Sequence, residues 1–422
     1  MFATKINKML GRHVKRNGPG FAVLVMDGNK KVWAKGYGHA RIADSDHRIQ
    51  KKKITTDTVF DLASVSKQFT AFAILMLVDQ TTRHGPNKGK YQRLRLNTKL
   101  STFFPDIFRA DKITICHLLD HSSGLPEYLG IRSFLQSYEE ELKQVGFWYA
   151  NMEASVLTNQ DVIARIVELN KSEFTPGTRF EYCNTGYVVL AEIVRKITRK
   201  SLREFLQEEI FDHLKMRSTF LYDETVNKFK RHALCYRKSR NGEYVSIESD
   251  TVFNYIHGDG NVHSTIEDMM KWQKACNRIA GLGNTGPVPL INTRTFLRVF
   301  DPLSKKGRRL RFKRQSGYAA GFHIYRFRKG NVSDFALHHS GEWLGFNSYL
   351  IRAEVQLHQP AHQRNAAKKF KDFSIVVLSN STEFSEDHRV STSTIMKELA
   401  EFFWDRWGLP AARSRKNVLR ET

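Results

Sequence analysis

The chain has 422 residues, of which 41% are hydrophobic and 26% charged, and its formal net charge is +24. At about 150 residues per domain this length allows two or three folding units, and the apolar fraction excludes an intrinsically disordered chain. No apolar run approaches the ~18 residues of a membrane-spanning helix, and the basic N-terminus lacks an apolar stretch of signal-peptide length, so we expect a cytoplasmic protein.

The positive charge is concentrated in short basic runs, at residues 51–53, 83–95, 228–240, 305–314 and 413–416. Such runs could meet nucleic acid, anionic lipid or an anionic polymer. They lack the interleaved aromatic residues of a surface that binds single strands, so we predict no specific nucleic-acid site. A solvated basic surface is the favoured interpretation, and binding to an anionic surface or polymer is the alternative.

The cysteines, Cys116, Cys183, Cys235 and Cys276, are widely spaced and form no C-x-x-C pair. This pattern is typical of reduced, mostly buried thiols and not of a disulfide framework or a zinc site. We therefore predict neither a metal nor an organic cofactor.

The first predicted element is a β-hairpin. Residues 21–26 form a short apolar strand, residues 27–30 are a turn signal, and residues 31–36 return as a second strand. Residues 60–80 follow, with a continuous apolar run from position 69 to position 78 that contains neither glycine nor proline. That run predicts a buried helix with Ser64 at its N-terminus.

Ser64 and Lys67 form an S-x-x-K pair at the start of this helix. Positions i and i+3 share a helix face, so the Lys67 amine can lie near the Ser64 hydroxyl. The unpaired N–H groups of a helix N-terminus favour an oxyanion, and a lysine against apolar walls loses its charge more readily than one in water. The pair suggests a nucleophile with its base; the alternative is a polar helix start with a solvated lysine.

The middle of the chain is predicted to be mainly helical, after a polar and basic loop insertion at residues 83–96. The expected helices cover residues 113–120, 161–169, 186–197, 202–211 and 264 to about 277. A capping box from Ser264 to Glu267 starts the last of them. An extended segment at residues 180–184 leads into the third.

The C-terminal part is predicted to return to strands, at residues 320–326, 335–339, 346–351 and 374–378, with a polar insertion within residues 352–371. An amphipathic helix at residues 391–407 follows. The simplest packing is an α+β fold in which N- and C-terminal strands form one antiparallel sheet flanked by helices. The central helices would form a second lobe, with the active site in the cleft between the lobes.

Several motifs resemble those of the serine β-lactamase-like and penicillin-binding-protein-like hydrolases, in particular the branch of class C β-lactamases, D-aminopeptidases and esterases. The three main motifs are Ser64-x-x-Lys67, Tyr182-x-Asn184, and His339-Ser340-Gly341 in the place of the family's Lys-Thr-Gly. Supporting stretches are Ile115 to Leu119, His121-x-Ser123-Gly124-Leu125-Pro126, and Gly258-Asp259-Gly260 before Ser264.

The resemblance covers about residues 20–407 and implies a β-lactamase/transpeptidase-like fold. The implied organisation is a sheet lobe at about 20–80 and 315–407, a helical lobe at about 81–314, an N-terminal extension at 1–19 and a basic tail at 408–422.

By that resemblance, Ser64 would be the acylated nucleophile, with Lys67 as its base or proton relay. Tyr182 would be a second proton-transfer group, and Asn184 would hold the Lys67 side chain or a substrate amide. Residues i and i+2 of an extended segment point the same way, so Tyr182 and Asn184 could enter the cleft together. The alternatives are a buried tyrosine with a bonded hydroxyl and an asparagine that caps the following helix.

His339, Ser340 and Gly341 would lie on an edge strand beside the nucleophile, where Gly341 allows close approach of the substrate backbone. The family pattern also implies an oxyanion hole built from the backbone N–H groups of Ser64 and Glu342.

Two positions depart from the family pattern. With a reference pKa of ~6.5, His339 would be mostly neutral near pH 7, where β-lactamases have a fixed lysine cation; by residue type alone, His338 is an equal candidate. Asn261 stands where relatives have a further glycine. We therefore expect a serine hydrolase that acts through an acyl-enzyme on a small ester or a short peptide or amide, as an esterase or a D-aminopeptidase/carboxypeptidase-like enzyme. The alternatives are a true β-lactamase and a catalytically idle binding or scaffold protein.

Overall fold

A seven-stranded antiparallel sheet with helices on both faces is the centre of the fold in a computed structural model of the chain. The structure describes residues 2–42, 50–80, 91–130, 157–222, 231–239, 241–247, 254–279, 291, 316–329, 332–356, 370–381 and 392–406. The helices are α1 Phe2–Gly11, α2 Lys67–Gln80, α3 Ile115–Leu119, α4 Asn159–Leu169, α5 Asn184–Thr198, α6 Leu202–Leu206, α7 Ile266–Ile279 and α8 Thr392–Arg406.

The strands of the main sheet are β1 Phe21–Asp27, β2 Lys30–Tyr37, β10 Ser316–Ala319, β11 Phe322–Lys329, β12 Val332–Trp343, β13 Phe346–Gln356 and β14 Phe370–Ser379. Shorter sheets contain β3 His39–Arg41, β4 Lys52–Lys53, β5 Phe60–Asp61, β6 Phe220–Leu221, β7 Cys235–Lys238, β8 Tyr244–Ile247 and β9 Val262–Ser264. Within the described residues, no helix is both long and apolar enough to cross a membrane.

Strands from the two ends of the chain meet in the middle of the main sheet. Its order is β10-β11-β12-β13-β14-β1-β2, and β1 pairs antiparallel with β14 along its whole length. The predicted hairpin is confirmed, because β1 pairs with β2 from Phe21 opposite Tyr37 to Asp27 opposite Lys30. The antiparallel α+β arrangement predicted from the sequence is thus present.

Each face of the sheet has its own apolar core, since alternate residues of a strand point to opposite faces. On one face, α1 and α8 bury Ile6, Leu10 and Leu399 against Val25 and Ile375. On the other face lie α2 and α7, of which α7 contacts β1 and β14. No element was predicted for residues 1–19, so α1 is an addition to the predicted fold.

The C-terminal strands differ from the prediction at their ends. Strand β10 was not predicted, and Ala320 and Gly321, predicted to begin a strand, form the turn before β11 with φ of 50° and 81°. Strand β12 continues to Trp343 and does not end at His339. The reason is pairing: the β12–β13 register runs on to Trp343 opposite Phe346, and this tertiary contact overrides the polar local sequence.

The helices lie within a few residues of their predicted ranges, but the start of α7 differs. Ser264 is the last residue of β9, and its hydroxyl lies 2.7 Å from Thr219 Oγ1. Thr265 Oγ1 instead accepts the backbone N–H of Asp268 at 3.1 Å. The predicted capping box from Ser264 to Glu267 is therefore wrong, because the strand extends to Ser264 and the next residue caps the helix.

Several predictions fall outside the described residues. These are most of the loop insertion at 83–96, the basic runs at 305–314 and 413–416, most of the polar insertion within 352–371, and the tail at 408–422. Binding of an anionic partner through the basic runs therefore stays a prediction.

Candidate active site

Ser64 lies in a 3₁₀ turn, Ala63–Ser66, that leads from β5 into α2. The helix itself begins at Lys67, so Ser64 lies in the turn before the helix and not, as predicted, at the helix N-terminus. Ala63 has a φ of 47°, a conformation that costs a residue with a side chain about 1–3 kcal/mol. The carboxylate of Asp61 holds this turn by accepting the Ala63 N–H at 2.7 Å. The turn leaves the Ser64 side chain half-buried at the cleft.

The Lys67 side chain is completely buried and its amine has three hydrogen-bond partners. Nζ lies 3.0 Å from Ser64 Oγ, 2.7 Å from Asn184 Oδ1 and 2.7 Å from the backbone oxygen of Asp259. The ring of Tyr182 also faces the amine, with its centroid 5.0 Å from Nζ. The amine and hydroxyl that the i, i+3 spacing predicted to be close are therefore in contact.

Asn184 is the first residue of α5, and its side chain is directed at Lys67. The residue before the helix is Cys183, which makes no side-chain cap, so the alternative role of Asn184 as a helix cap is wrong. The N–H of Asn184 donates instead to Glu127 Oε2 at 2.5 Å. Burial raises the pKa of Glu127, although this hydrogen bond opposes the shift. Glu127 was not predicted as a site residue, because an isolated glutamate in a loop belongs to no recognisable sequence pattern.

Tyr182 lies in the extended segment before α5, two residues from Asn184, and both side chains reach Lys67. Its hydroxyl is buried, and it neither donates nor accepts a hydrogen bond within the described part of the chain. The alternative of a buried ring with a bonded hydroxyl therefore does not hold. The ring packs against His121, with the centroids 4.3 Å apart.

The end of β12 forms an open edge beside Ser64, although β12 is an inner strand of the sheet and not the edge strand that the sequence predicted. The β11–β12 register stops at His338, whereas β12 stays paired with β13 as far as Trp343. A two-residue turn joins β12 to β13, so Trp343 belongs to a hydrogen-bonded pair and the preceding residue, Glu342, to a non-bonded pair. The N–H of Glu342 thus points away from β13, towards the open edge.

Gly341 brings this edge into contact with the turn that carries Ser64. A Cβ atom at position 341 would lie 2.3 Å from the backbone oxygen of Leu62 and 2.9 Å from the backbone nitrogen of Ser64. Only glycine fits so close to the turn. The predicted oxyanion donors, the N–H groups of Ser64 and Glu342, therefore belong to neighbouring backbone segments.

His339 is buried beside the cleft, with its ring centroid 6.1 Å from that of Tyr182. Its Nδ1 lies 2.5 Å from the Ser340 carbonyl, which can only accept, so Nδ1 carries the proton and Nε2 accepts from the Tyr318 hydroxyl at 2.9 Å. Burial, with His323 and Lys67 nearby, holds the pKa of His339 well below 6.5. The ring is neutral at pH 7, in agreement with the sequence-based expectation.

His338 points elsewhere. Its Nδ1 lies 3.1 Å from the hydroxyl of Tyr349, a residue of the core under α1 and α8. Of the two histidines, His339 is therefore the one whose ring lies beside Tyr182, and its role in the site stays a prediction.

The loop at residues 258–261 supports Lys67 from the other side. The carboxylate of Asp259 accepts the Tyr128 hydroxyl at 3.0 Å, which leaves the Asp259 carbonyl facing the amine. Asn261 has a φ of 67°, and its Nδ2 donates to the Ile256 carbonyl at 2.9 Å. Asparagine enters this left-handed region more readily than most residues, which explains how it takes the place of a glycine.

An open cleft gives access to Ser64. Its lining residues are Ala63, Ser64, Tyr128, Leu129, Asn184, Ile256, Asp259, Gly260, Asn261, Glu342 and Trp343. Within the described ranges, no three His, Cys, Asp or Glu side chains are grouped so that they could hold a metal ion.

The amino-acid sequence matches a known protein family. Residues 6–399 match the Beta-lactamase family. This chain belongs to the beta-lactamase family. The beta-lactamase family membership confirms the resemblance found in the motifs, and it covers nearly the whole chain.

Two curated beta-lactamase relatives illustrate the range of names in the family. The chain is 27% identical over 355 residues to penicillin-binding protein 4* of Bacillus subtilis (strain 168). The aligned region covers 81% of this chain and 66% of that protein. The chain is 26% identical over 269 residues to D-aminopeptidase of Brucella canis. The aligned region covers 62% of this chain and 43% of that protein. The chain thus spans less than two thirds of the length of these relatives.

Solved structures show the same fold. The octameric penicillin-binding protein homologue from Pyrococcus abyssi superposes with a TM-score of 0.66 at 23% identity, over 96% of this chain and 78% of that one. D-amino acid amidase from Ochrobactrum anthropi SV3 superposes with a TM-score of 0.62 at 20% identity, over 96% of this chain and 99% of that one. The predicted β-lactamase/transpeptidase-like fold is confirmed.

Proposed function

We propose that the protein is a serine hydrolase that forms an acyl-enzyme on Ser64. The hydrogen bonds of Lys67 carry this proposal. A neutral amine has two hydrogens and one lone pair, and the Asn184 amide oxygen and the Asp259 carbonyl can only accept. These two groups take both hydrogens, so the lone pair is left facing Ser64 Oγ at 3.0 Å. In this form Lys67 is placed to accept the serine proton.

Once the proton moves to Lys67, Ser64 Oγ attacks the carbonyl carbon of the substrate. The N–H groups of Ser64 and Glu342 then stabilise the negative charge on the carbonyl oxygen.

Tyr182 is the group proposed to deliver a proton to the leaving group. Its buried hydroxyl has no partner among the described residues, and its ring lies beside the Lys67 amine. The hydroxyl donates its proton to the leaving oxygen or nitrogen and regains one from Lys67. A water molecule then attacks the acyl-enzyme, gives a proton back through the same groups, and releases Ser64.

The cleft supports an uncharged or cationic substrate, such as a small ester, a short peptide or an amide. Its lining contains the carboxyl groups of Asp259 and Glu342 but no lysine or arginine among the described residues. His339, in the position of the family's lysine, is neutral at pH 7 and gives no fixed cation for a substrate carboxylate. These features favour an esterase or a D-aminopeptidase-like enzyme over a true β-lactamase.

The test is intact mass after incubation with a fluorophosphonate, on the wild type and on Ser64→Ala. We expect a single adduct on the wild type alone, followed by turnover of esters or D-amino acid amides in preference to β-lactams. If the wild type gains no adduct, or Ser64→Ala gains the same one, the hydrolase assignment fails and the idle scaffold becomes the better description.

A further inference from the structure

One residue holds the segment that carries Tyr182 on both sides. The carbonyl of His121 accepts the backbone N–H of Glu181 at 2.9 Å. The Nδ1 atom of the same residue accepts the backbone N–H of Cys183 at 3.0 Å. The backbone N–H groups of the residues before and after Tyr182 therefore both donate to His121.

These contacts fix the state of the imidazole. A backbone N–H can only donate, so Nδ1 of His121 is unprotonated and the neutral ring carries its proton on Nε2. The residue is 1% exposed, and its burial, together with Lys67 and His323 nearby, holds its pKa well below 6.5. The ring is therefore neutral at physiological pH.

The ring of His121 also contacts the tyrosine side chain directly. Its centroid lies 4.3 Å from that of Tyr182, at an interplanar angle of 35°, and 4.3 Å from that of Tyr318. The residue has a φ of 57°, in the left-handed region that histidine and asparagine enter more often than most residues. In this conformation the carbonyl and the ring of one residue both face the extended segment.

We infer that His121 is the positioning residue for Tyr182. Through two backbone hydrogen bonds and one ring contact it fixes the position of the Tyr182 ring beside the Lys67 amine. This inference rests on the proposed function, in which Tyr182 moves a proton to the leaving group. The competing explanation is that His121 is an ordinary buried side chain that contributes only to packing.

Two variants separate the acceptor from the ring. His121→Asn keeps an oxygen near the position of Nδ1 and tolerates the left-handed backbone, whereas His121→Phe keeps a ring and loses the acceptor. We expect His121→Phe to lower the rate of fluorophosphonate acylation and the kcat for an ester by about 10–100-fold with little change in KM, as a displaced catalytic group does. His121→Asn should restore most of that loss.

A double-mutant cycle with Tyr182→Phe identifies the route of the effect. If His121 acts through the tyrosine hydroxyl, His121→Phe should cost less than about twofold in the Tyr182→Phe background. Independent, multiplying losses would overturn the inference, and so would a His121→Phe enzyme with wild-type kcat.

Hydrogen exchange of the Cys183 amide keeps this test separate from that of the proposed function. Exchange should be slow in the wild type and in His121→Asn, and faster in His121→Phe. If the wild type proves unreactive towards fluorophosphonate, the proposed function fails, and this exchange pattern alone decides whether His121 holds the segment. Equal exchange in all three proteins would overturn the positioning role.

Discussion

Gly341→Ala tests whether the end of β12 and the turn that carries Ser64 together form the predicted oxyanion hole. A Cβ at this position would lie 2.3 Å from the oxygen of Leu62, 2.5 Å from Ser348 Oγ and 2.9 Å from the nitrogen of Ser64. Two of these three atoms are backbone, so rotation of a side chain cannot relieve the contact. To reach ordinary van der Waals separation from the Leu62 oxygen, β12 must move away from the turn by roughly 1 Å.

That displacement would separate the two predicted donors by a similar distance. Loss of one oxyanion donor lowers turnover by about 10²–10³, and we expect Gly341→Ala to lower kcat by that amount. The crowding should also lower the free energy of unfolding by about 1–3 kcal/mol, the usual cost of an overfilled site. The loss of activity should therefore exceed what the remaining folded fraction explains.

The assay is the acylation rate with a fluorophosphonate and kcat with an activated ester, with the unfolding free energy measured in parallel. Gly130→Ala is the matched control, because a Cβ there meets no atom of the described residues within 4 Å. The control should keep wild-type rates. A Gly341→Ala protein that also kept them would refute the contact between β12 and Ser64 from which the oxyanion hole is derived.

Two further substitutions test the lysine and the turn. Asn184→Ala removes one of the two acceptors that orient Lys67 and should slow acylation by about 10²-fold; Asn184→Asp, which favours the ammonium form, should slow it at least as much at neutral pH. Asp61→Asn should change the pH dependence of unfolding. Burial, with Asp259 nearby, raises the Asp61 pKa from 3.8 to about 7, and His263, whose pKa burial lowers, is neutral beside it. The free energy of unfolding should therefore fall as the pH rises from about 4 to 7. The total loss is up to roughly 4 kcal/mol, at about 1.4 kcal/mol per pKa unit. Denaturant titrations across this range should show that slope in the wild type and a flatter profile in Asp61→Asn; equal slopes would contradict the raised pKa.

The local pattern of apolar residues was enough to predict the helices and strands whose own side chains form a continuous apolar run. The run before Gln80 predicts α2, and the apolar strand at Phe21 predicts the hairpin, because each is determined by its own side chains. Strand β10 and the end of β12 escaped prediction for the opposite reason. Apart from Tyr318 and Trp343, their residues are polar or small, and pairing with neighbouring strands holds them in the sheet.

The same distinction applies to the candidate site. The i, i+3 spacing of Ser64 and Lys67 predicts their contact from the sequence alone. The acceptor of the amine on the far side is a backbone carbonyl, at Asp259, and no side-chain pattern predicts the direction of a carbonyl. His121 lay in a stretch that carried the family resemblance, yet its two contacts beside Tyr182 depend on a left-handed backbone that only the structure shows.

The start of α2 is fixed from two directions by contacts that leave no room for a side chain. The turn at Gly321 packs on the backbone of Lys67 and Gln68, where a Cβ would lie 2.6 Å from the Gln68 Cα. Gly341 packs in the same way on the backbone at Ser64. Because backbone lies against backbone at both places, the turn cannot move without moving the sheet. The strained Ala63 conformation is thus held by the sheet itself, which keeps Ser64 and the predicted oxyanion donors in one rigid unit before any substrate binds.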